Sequence, residues 1–160
     1  HTLLGHLVDA FLLSEVPLAT DSERKRNSNP RKIYPADPGL IRAFDASGRA
    51  HLGHALETVV LNELERRHAE VGYVKPAEGL EVDFLARHPG GSEELIQVCA
   101  DLSSAETSAR ELRALTAATH EHPGAVQRLL VLDRDARGGT VTPGVEVQPA
   151  YEWLLAEPAA

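Results

Sequence analysis

Apolar residues recur at helical spacing over about 50–70, where Leu52, Leu56, Val59, Val60 and Leu64 share one face. The polar run ERRHAE closes that stretch, and Gly72 follows where a helix often stops. The period then changes. Residues 72–75, 80–87 and 93–99 read as strands, the last two alternating and joined by the turn signal His88-Pro89-Gly90-Gly91. A second helix is predicted over 104–119, with Ser103 or Ser104 as its cap and Glu106 in its first turn. The apolar run 127–132 suits a buried strand, and 140–147 an edge strand broken at Pro143-Gly144. Residues 149–155 predict a last helix with Pro149 in its first turn. Upstream, 2–12 starts helical and turns extended, and 11–18 and 31–37 read as two strands around a polar loop. Asp37-Pro38-Gly39 starts a short helix whose apolar face is Leu40, Ile41 and Phe44, and 45–50 is a polar junction. Helix, three strands, helix, strand is the order of a mixed α/β layer with one sheet between helices.

Composition narrows the class. The 160 residues are 42% hydrophobic, enough for one core. Cys99 is the only cysteine, which excludes an internal disulfide and suits a reducing, cytoplasmic setting. No run of about 18 apolar residues exists, so no membrane span or membrane partner is expected. The chain starts at His1 and contains no methionine, which points to a piece of a longer protein. A net charge of −8 argues against general nucleic-acid adhesion. The charge is uneven, however: residues 22–32 hold Arg24, Lys25, Arg26, Arg31 and Lys32 against Glu23 alone. A solvated loop explains this run, and so does a contact to a phosphate backbone.

Side chains alternate along strands, so Glu81 and Asp83 point away from Val82 and Phe84. Gln97 and Cys99 likewise share a face opposite Ile96 and Val98. A hairpin of these strands sets Asp83 beside Gln97 and Cys99. Glu57 lies at the margin of the apolar stripe of the first long helix, where burial of its charge calls for a partner. Two carboxylates and an amide oxygen form a reasonable hard-cation site, and such an ion activates water at a phosphodiester. Alternation alone is equally satisfied by an ordinary half-exposed hairpin. His51, His54 and Glu57 are spaced three apart and rotate by about 60° per step, so they converge poorly on a metal. Nothing adjacent in sequence lowers the Cys99 pKa toward a nucleophile. Arg110 and Arg113 on the second helix are either solvated or reach toward the polar face of the sheet or a phosphate, and Trp153 caps the core.

Residues 57–70, EVDF at 81–84, IQVC at 96–99 and ETSARELRAL at 106–115 together resemble a widespread prokaryotic family. Its members carry an AAA+ ATPase module, a winged helix, and a C-terminal domain of unknown function with a restriction-endonuclease-like, PD-(D/E)xK fold. DAFLL at 9–13 and PRKIYPADPGL at 30–40 resemble the segment leading out of that winged helix. The resemblance implies a winged-helix remnant over 1–45 and a nuclease-like domain over 46–160. Glu57 matches the helix acid and Asp83 the strand acid. Gln97 stands at the next acidic position and Cys99 at that of the lysine. Catalytic and metal positions are then Glu57, Asp83 and Gln97, with Cys99 at a degenerate lysine position. Mg²⁺ would be held weakly because Gln97 is neutral. ATP would belong to the ATPase module, since no phosphate-binding glycine loop occurs here. Losing one preorganised charge costs on the order of 10²–10³ in rate. The expected function is therefore a catalytically degenerate module that binds DNA or a protein partner for an AAA+ ATPase. An active metal-dependent DNA nuclease and a pure protein-interaction module are the alternatives, and the oligomeric state is left open.

Overall fold

The computed structural model describes residues 3–44, 52–77, 79–135 and 142–157. The junction at 45–50, and with it the expected domain boundary, lies outside the described residues, as do His51 and the start of the predicted strand at 140–147. Helix α1 (Leu3–Asp9) leads into strand β1 (Leu13–Val16), helix α2 (Glu23–Ser28), strand β2 (Lys32–Pro35) and helix α3 (Pro38–Phe44). Helix α4 (Leu52–Arg66) precedes three strands, β3 (Glu70–Ala77), β4 (Leu80–Arg87) and β5 (Glu93–Cys99). Helix α5 (Ala105–Ala118), strands β6 (Val126–Val131) and β7 (Val145–Pro149), and helix α6 (Ala150–Leu155) complete the order.

The five strands β3 to β7 form one sheet in sequence order, antiparallel from β3 to β5 and parallel from β5 to β7. The change of direction follows from the connections. Short turns join the antiparallel strands, whereas β5 reaches β6 through α5, a crossover long enough for a parallel pair. The sheet is apolar on both faces. Phe84, Ile96 and Val98 pack against Leu56, Val60, Leu61 and Leu64 of α4 and Trp153 of α6. Leu85, Leu95, Leu129 and Val131 meet Leu112, Leu115 and Ala118 of α5 on the other side. This is the layered α/β architecture that the hydrophobic pattern predicts. No described helix is long and apolar enough to cross a membrane.

The β1–β2 hairpin pairs Val16 with Lys32 and Ser14 with Tyr34. Val16 and Tyr34 are buried in the same core as α4, so the hairpin is packed onto the sheet domain. The connection after β1 extends this docking. Ala19 N–H donates to Tyr73 O at 2.8 Å, and Tyr73 N–H donates to Pro17 O at 2.9 Å, covering the free edge of β3.

Three local expectations change. The basic segment is not a plain loop: Ser22 Oγ accepts the Lys25 N–H at 3.4 Å and caps α2. Gly72 does not end α4, which stops at Arg66 and turns through His68 at φ 58°. Gly72 lies within β3 instead, where a Cβ would come 2.9 Å from the Ala19 Cβ, so the covering segment fits only over glycine. Pro149 ends β7 and precedes α6 as its N-cap residue, where its missing N–H costs no helical bond. The C-terminal end of α1 carries a similar surprise. Leu12 N–H donates to Leu7 O and Phe11 N–H to Val8 O, both at 2.9 Å, a Schellman arrangement. Phe11 takes the left-handed position at φ 57°, which costs a non-glycine residue roughly 1–2 kcal/mol.

Candidate functional site

The ladder between β4 and β5 runs from the Arg87–Glu93 pair to the Phe84–Ile96 pair. One step further on, side chains link the two strands. The Asp83 N–H donates to Gln97 Oε1 at 3.2 Å, and the Val98 N–H donates to Asp83 Oδ2 at 2.9 Å. This exchange fixes the Asp83 carboxylate at the head of a cleft of about 300 Å³. Glu57 of α4, Glu81 and Asp83 of β4, Gln97 of β5, and Arg110 and Glu111 of α5 line it.

Lys32 reaches this cluster from the hairpin. Its Nζ lies 2.8 Å from Asp83 Oδ1, 3.2 Å from Glu81 Oε1 and 3.7 Å from Glu57 Oε2. The same ammonium stands 5.9 Å from the ring centroids of Tyr34 and Phe84. Tyr34 O–H donates to Glu57 Oε2 at 2.7 Å, and its ring stacks on His54 at 5.1 Å. Three carboxylates from two elements thus surround one ammonium from a third.

The charge states follow from this packing. Burial opposes the Lys32 charge, but Asp83 and then Glu57 outweigh it and hold the ammonium well above the ordinary lysine value. Burial raises the Asp83 carboxyl, while Lys32 and the Val98 N–H pull it back toward the charged form. Burial, then repulsion by Asp83, pushes Glu57 up to about 7, against the attraction of Lys32 and the Tyr34 hydrogen bond. Burial and the Glu57 charge keep Tyr34 a phenol. The Glu57 carboxyl therefore changes charge near neutral pH.

The site is partly the one that sequence predicts. Glu57 and Asp83 do converge. Gln97 is present but fully engaged, since its Nε2 donates to Glu111 Oε2 at 2.6 Å, and Arg110 Nη2 in turn reaches Glu111 Oε1 at 2.5 Å. Cys99 does not join the cleft lining. Its Sγ donates to Asp101 O at 3.1 Å, and burial pushes the thiol up, so it is neutral. Lys32 departs most from expectation. It is no loop residue poised for phosphate: on β2 it shares a strand face with buried Tyr34 and is paired inside the acidic cluster. Of the other cations, Arg31 is paired with Glu15 and Arg26 Nη2 donates to Thr20 O at 2.8 Å. Arg24 and Lys25 are exposed on α2.

Tyr34 and Glu111 escaped the sequence reading, and Lys32 was read with the basic loop, although each carried a signal. Lys32 and Tyr34 sit two apart on a strand, so burial of one draws in the other. Glu111 occupies a position of the α5 apolar stripe formed by Ser108, Leu112 and Leu115, which places its carboxylate indoors. Among the described residues, no group of three or more His, Cys, Asp or Glu side chains is arranged to hold a metal ion. As arranged, Glu57, Asp83 and Gln97 do not fit Mg²⁺. The two acids face an ammonium, and the Gln97 oxygen accepts the Asp83 N–H. No family model matches the chain, and no significant match was found among curated proteins or solved structures.

Proposed function

We propose that this chain is a restriction-endonuclease-like module that binds without cutting and serves an AAA+ ATPase as a platform for nucleic acid. The observation that carries this reading is Lys32 Nζ lying between Asp83, Glu81 and Glu57 at 2.8–3.7 Å. A hydrolytic site of this kind needs its acids turned toward a metal, and here they neutralise an internal lysine. The strand order supports the fold assignment: an antiparallel meander, a crossover helix and two parallel strands. So does the placement of one acid on the helix before the meander and another where β4 and β5 cease to pair directly. The neutral thiol of Cys99 at the expected lysine position adds to the case against cleavage. Nucleic-acid contact in this reading falls to α2, where Arg24 and Lys25 are exposed, because the acid-lined cleft repels phosphate.

One feature favours a second reading. The Lys32 ammonium could replace the charge that Cys99 lacks, making the chain a metal-dependent nuclease with a lysine drawn from another element. Incubating plasmid and single-stranded DNA with the chain and Mg²⁺ or Mn²⁺ separates the two. We expect no cleavage, together with DNA binding that weakens and loses salt dependence in Arg24→Glu/Lys25→Glu. Metal-dependent cleavage abolished in both Asp83→Ala and Lys32→Ala would establish the second reading. Absence of DNA binding at low salt would overturn the platform role.

A further inference from the structure

Three carboxylate oxygens face a single point at the cleft. Asp83 Oδ1, Glu81 Oε1 and Glu57 Oε2 lie 2.8, 3.2 and 3.7 Å from it, and Lys32 Nζ stands there. The acids belong to α4 and β4, whereas the cation arrives on β2 of the hairpin. Asp83 does not owe its aim to the lysine. Its Oδ2 accepts the Val98 N–H at 2.9 Å, so the backbone of β5 leaves Oδ1 turned toward the point. Lys75 stays outside: it is 4.0 Å from the other Glu81 oxygen, with a side chain 41% exposed.

Acids packed this closely call for a cation, because they repel one another where water cannot screen them. The Asp83 and Glu57 side chains are only 10% and 19% exposed. An ammonium meets the need with one positive charge. A hard divalent ion meets it with two and takes the same kind of oxygen donor. The two cannot share the place, since they draw on the same three oxygens. The spacing shows which of them the cluster is set for. Oxygens at 2.8–3.7 Å suit an ammonium, while a divalent ion takes oxygen at about 2.0–2.6 Å. Among the described residues, accordingly, no group of acids is arranged for a metal ion. Glu57 and Glu81 must close in by up to about 1 Å to hold one, and Ca²⁺, with its longer bonds and flexible geometry, asks the least of them.

We infer that the Lys32 ammonium occupies the place of a divalent cation, so that docking of the β1–β2 hairpin and binding of such an ion by Glu57, Glu81 and Asp83 exclude each other. The inference rests on reading the cleft as one that does not cut, and adds what keeps metal out of it. Its test uses no DNA, so it can fail while the platform role stands, and the reverse. Calcium is titrated at pH 8 into chain freed of metal with EDTA, followed by calorimetry and thermal unfolding. Lys32→Met should bind Ca²⁺ with a Kd of about 0.1–1 mM, the range of weak calcium modules, and its Tm should rise with Ca²⁺ concentration. If this variant is unfolded without the ion, it should fold when Ca²⁺ is added. The native chain should bind at least about tenfold more weakly, and so should Lys32→Met/Asp83→Asn. Native binding as tight as that of Lys32→Met overturns the inference. So does a Lys32→Met chain that Ca²⁺ neither binds, stabilises nor folds, and so does Ca²⁺ binding that persists unchanged in the double variant.

Discussion

Replacing Lys32 with methionine should destabilise the fold by about 3–5 kcal/mol at pH 8, the cost of leaving a buried charge without its partner. The side chains of Lys32 and Asp83 are only 21% and 10% exposed, so water can do little to replace the lost contact. Methionine keeps the length and apolar stem of lysine, which isolates the charge from the packing against Tyr34 and Phe84. For a chain of this size the loss corresponds to a fall in Tm on the order of ten degrees. The double variant Lys32→Met/Asp83→Asn should recover much of the loss, because an amide oxygen can still accept the Val98 N–H without carrying charge. Urea unfolding of the native chain, both single variants and the double variant gives the coupling directly. Additive losses would mean that the 2.8 Å pair contributes no more than an exposed one.

That prediction rests on a residue whose place could not be read from charge. Residues 22–32 hold five cations, and composition merges them into one basic loop. The structure sorts them by local geometry. Ser22 starts a helix that leaves Arg24 and Lys25 in water. The strand beginning at Lys32 alternates, and the face that buries Tyr34 takes Lys32 with it. Alternation thus decides the fate of a charge that composition leaves undecided. The same rule made β4 and β5 legible, and the helical period made α4 and α5 legible, because each pattern repeats several times within one element. Gly72 and Phe11 were illegible for the opposite reason. Each depends on a single contact or dihedral, Gly72 on the close approach of Ala19 and Phe11 on the end geometry of α1. The convergence of Glu57 with Asp83 was only one of two readings that the positions allowed, the other being an ordinary half-exposed hairpin. The approach of Lys32 to these acids, and of Glu111 to the cleft they line, needed the tertiary arrangement, since the two residues lie on β2 and α5, far apart in the chain.

Glu57 should set the pH dependence of stability, with a sign opposite to that of most acids. Its carboxyl titrates near 7 in the folded chain against 4.5 when unperturbed. Between those values the folded chain binds more protons than the unfolded one, so stability falls as pH rises. The stabilising share of this group is complete below about pH 4.5 and lost by about pH 7, a span of about 3 kcal/mol at 1.36 kcal/mol per pH unit. Glu57→Gln removes the titration but keeps an oxygen to accept the Tyr34 hydrogen bond. The variant should match the native chain at pH 4.5 and exceed its stability by up to about 3 kcal/mol at pH 8. Asp83, also raised by burial, titrates in the same direction and remains in both proteins. Acids held low by arginine or serine partners, such as Glu63, Glu93 and Asp101, act in the opposite direction and likewise remain. The difference between the two stability curves therefore reports Glu57 together with its interaction with Asp83. Curves that run parallel from pH 4.5 to 8 would mean that Lys32 keeps Glu57 ionised throughout. A difference that opens across that window would identify Glu57 as the group through which proton uptake tightens the hairpin on the sheet, since Tyr34 and Lys32 both reach it from β2.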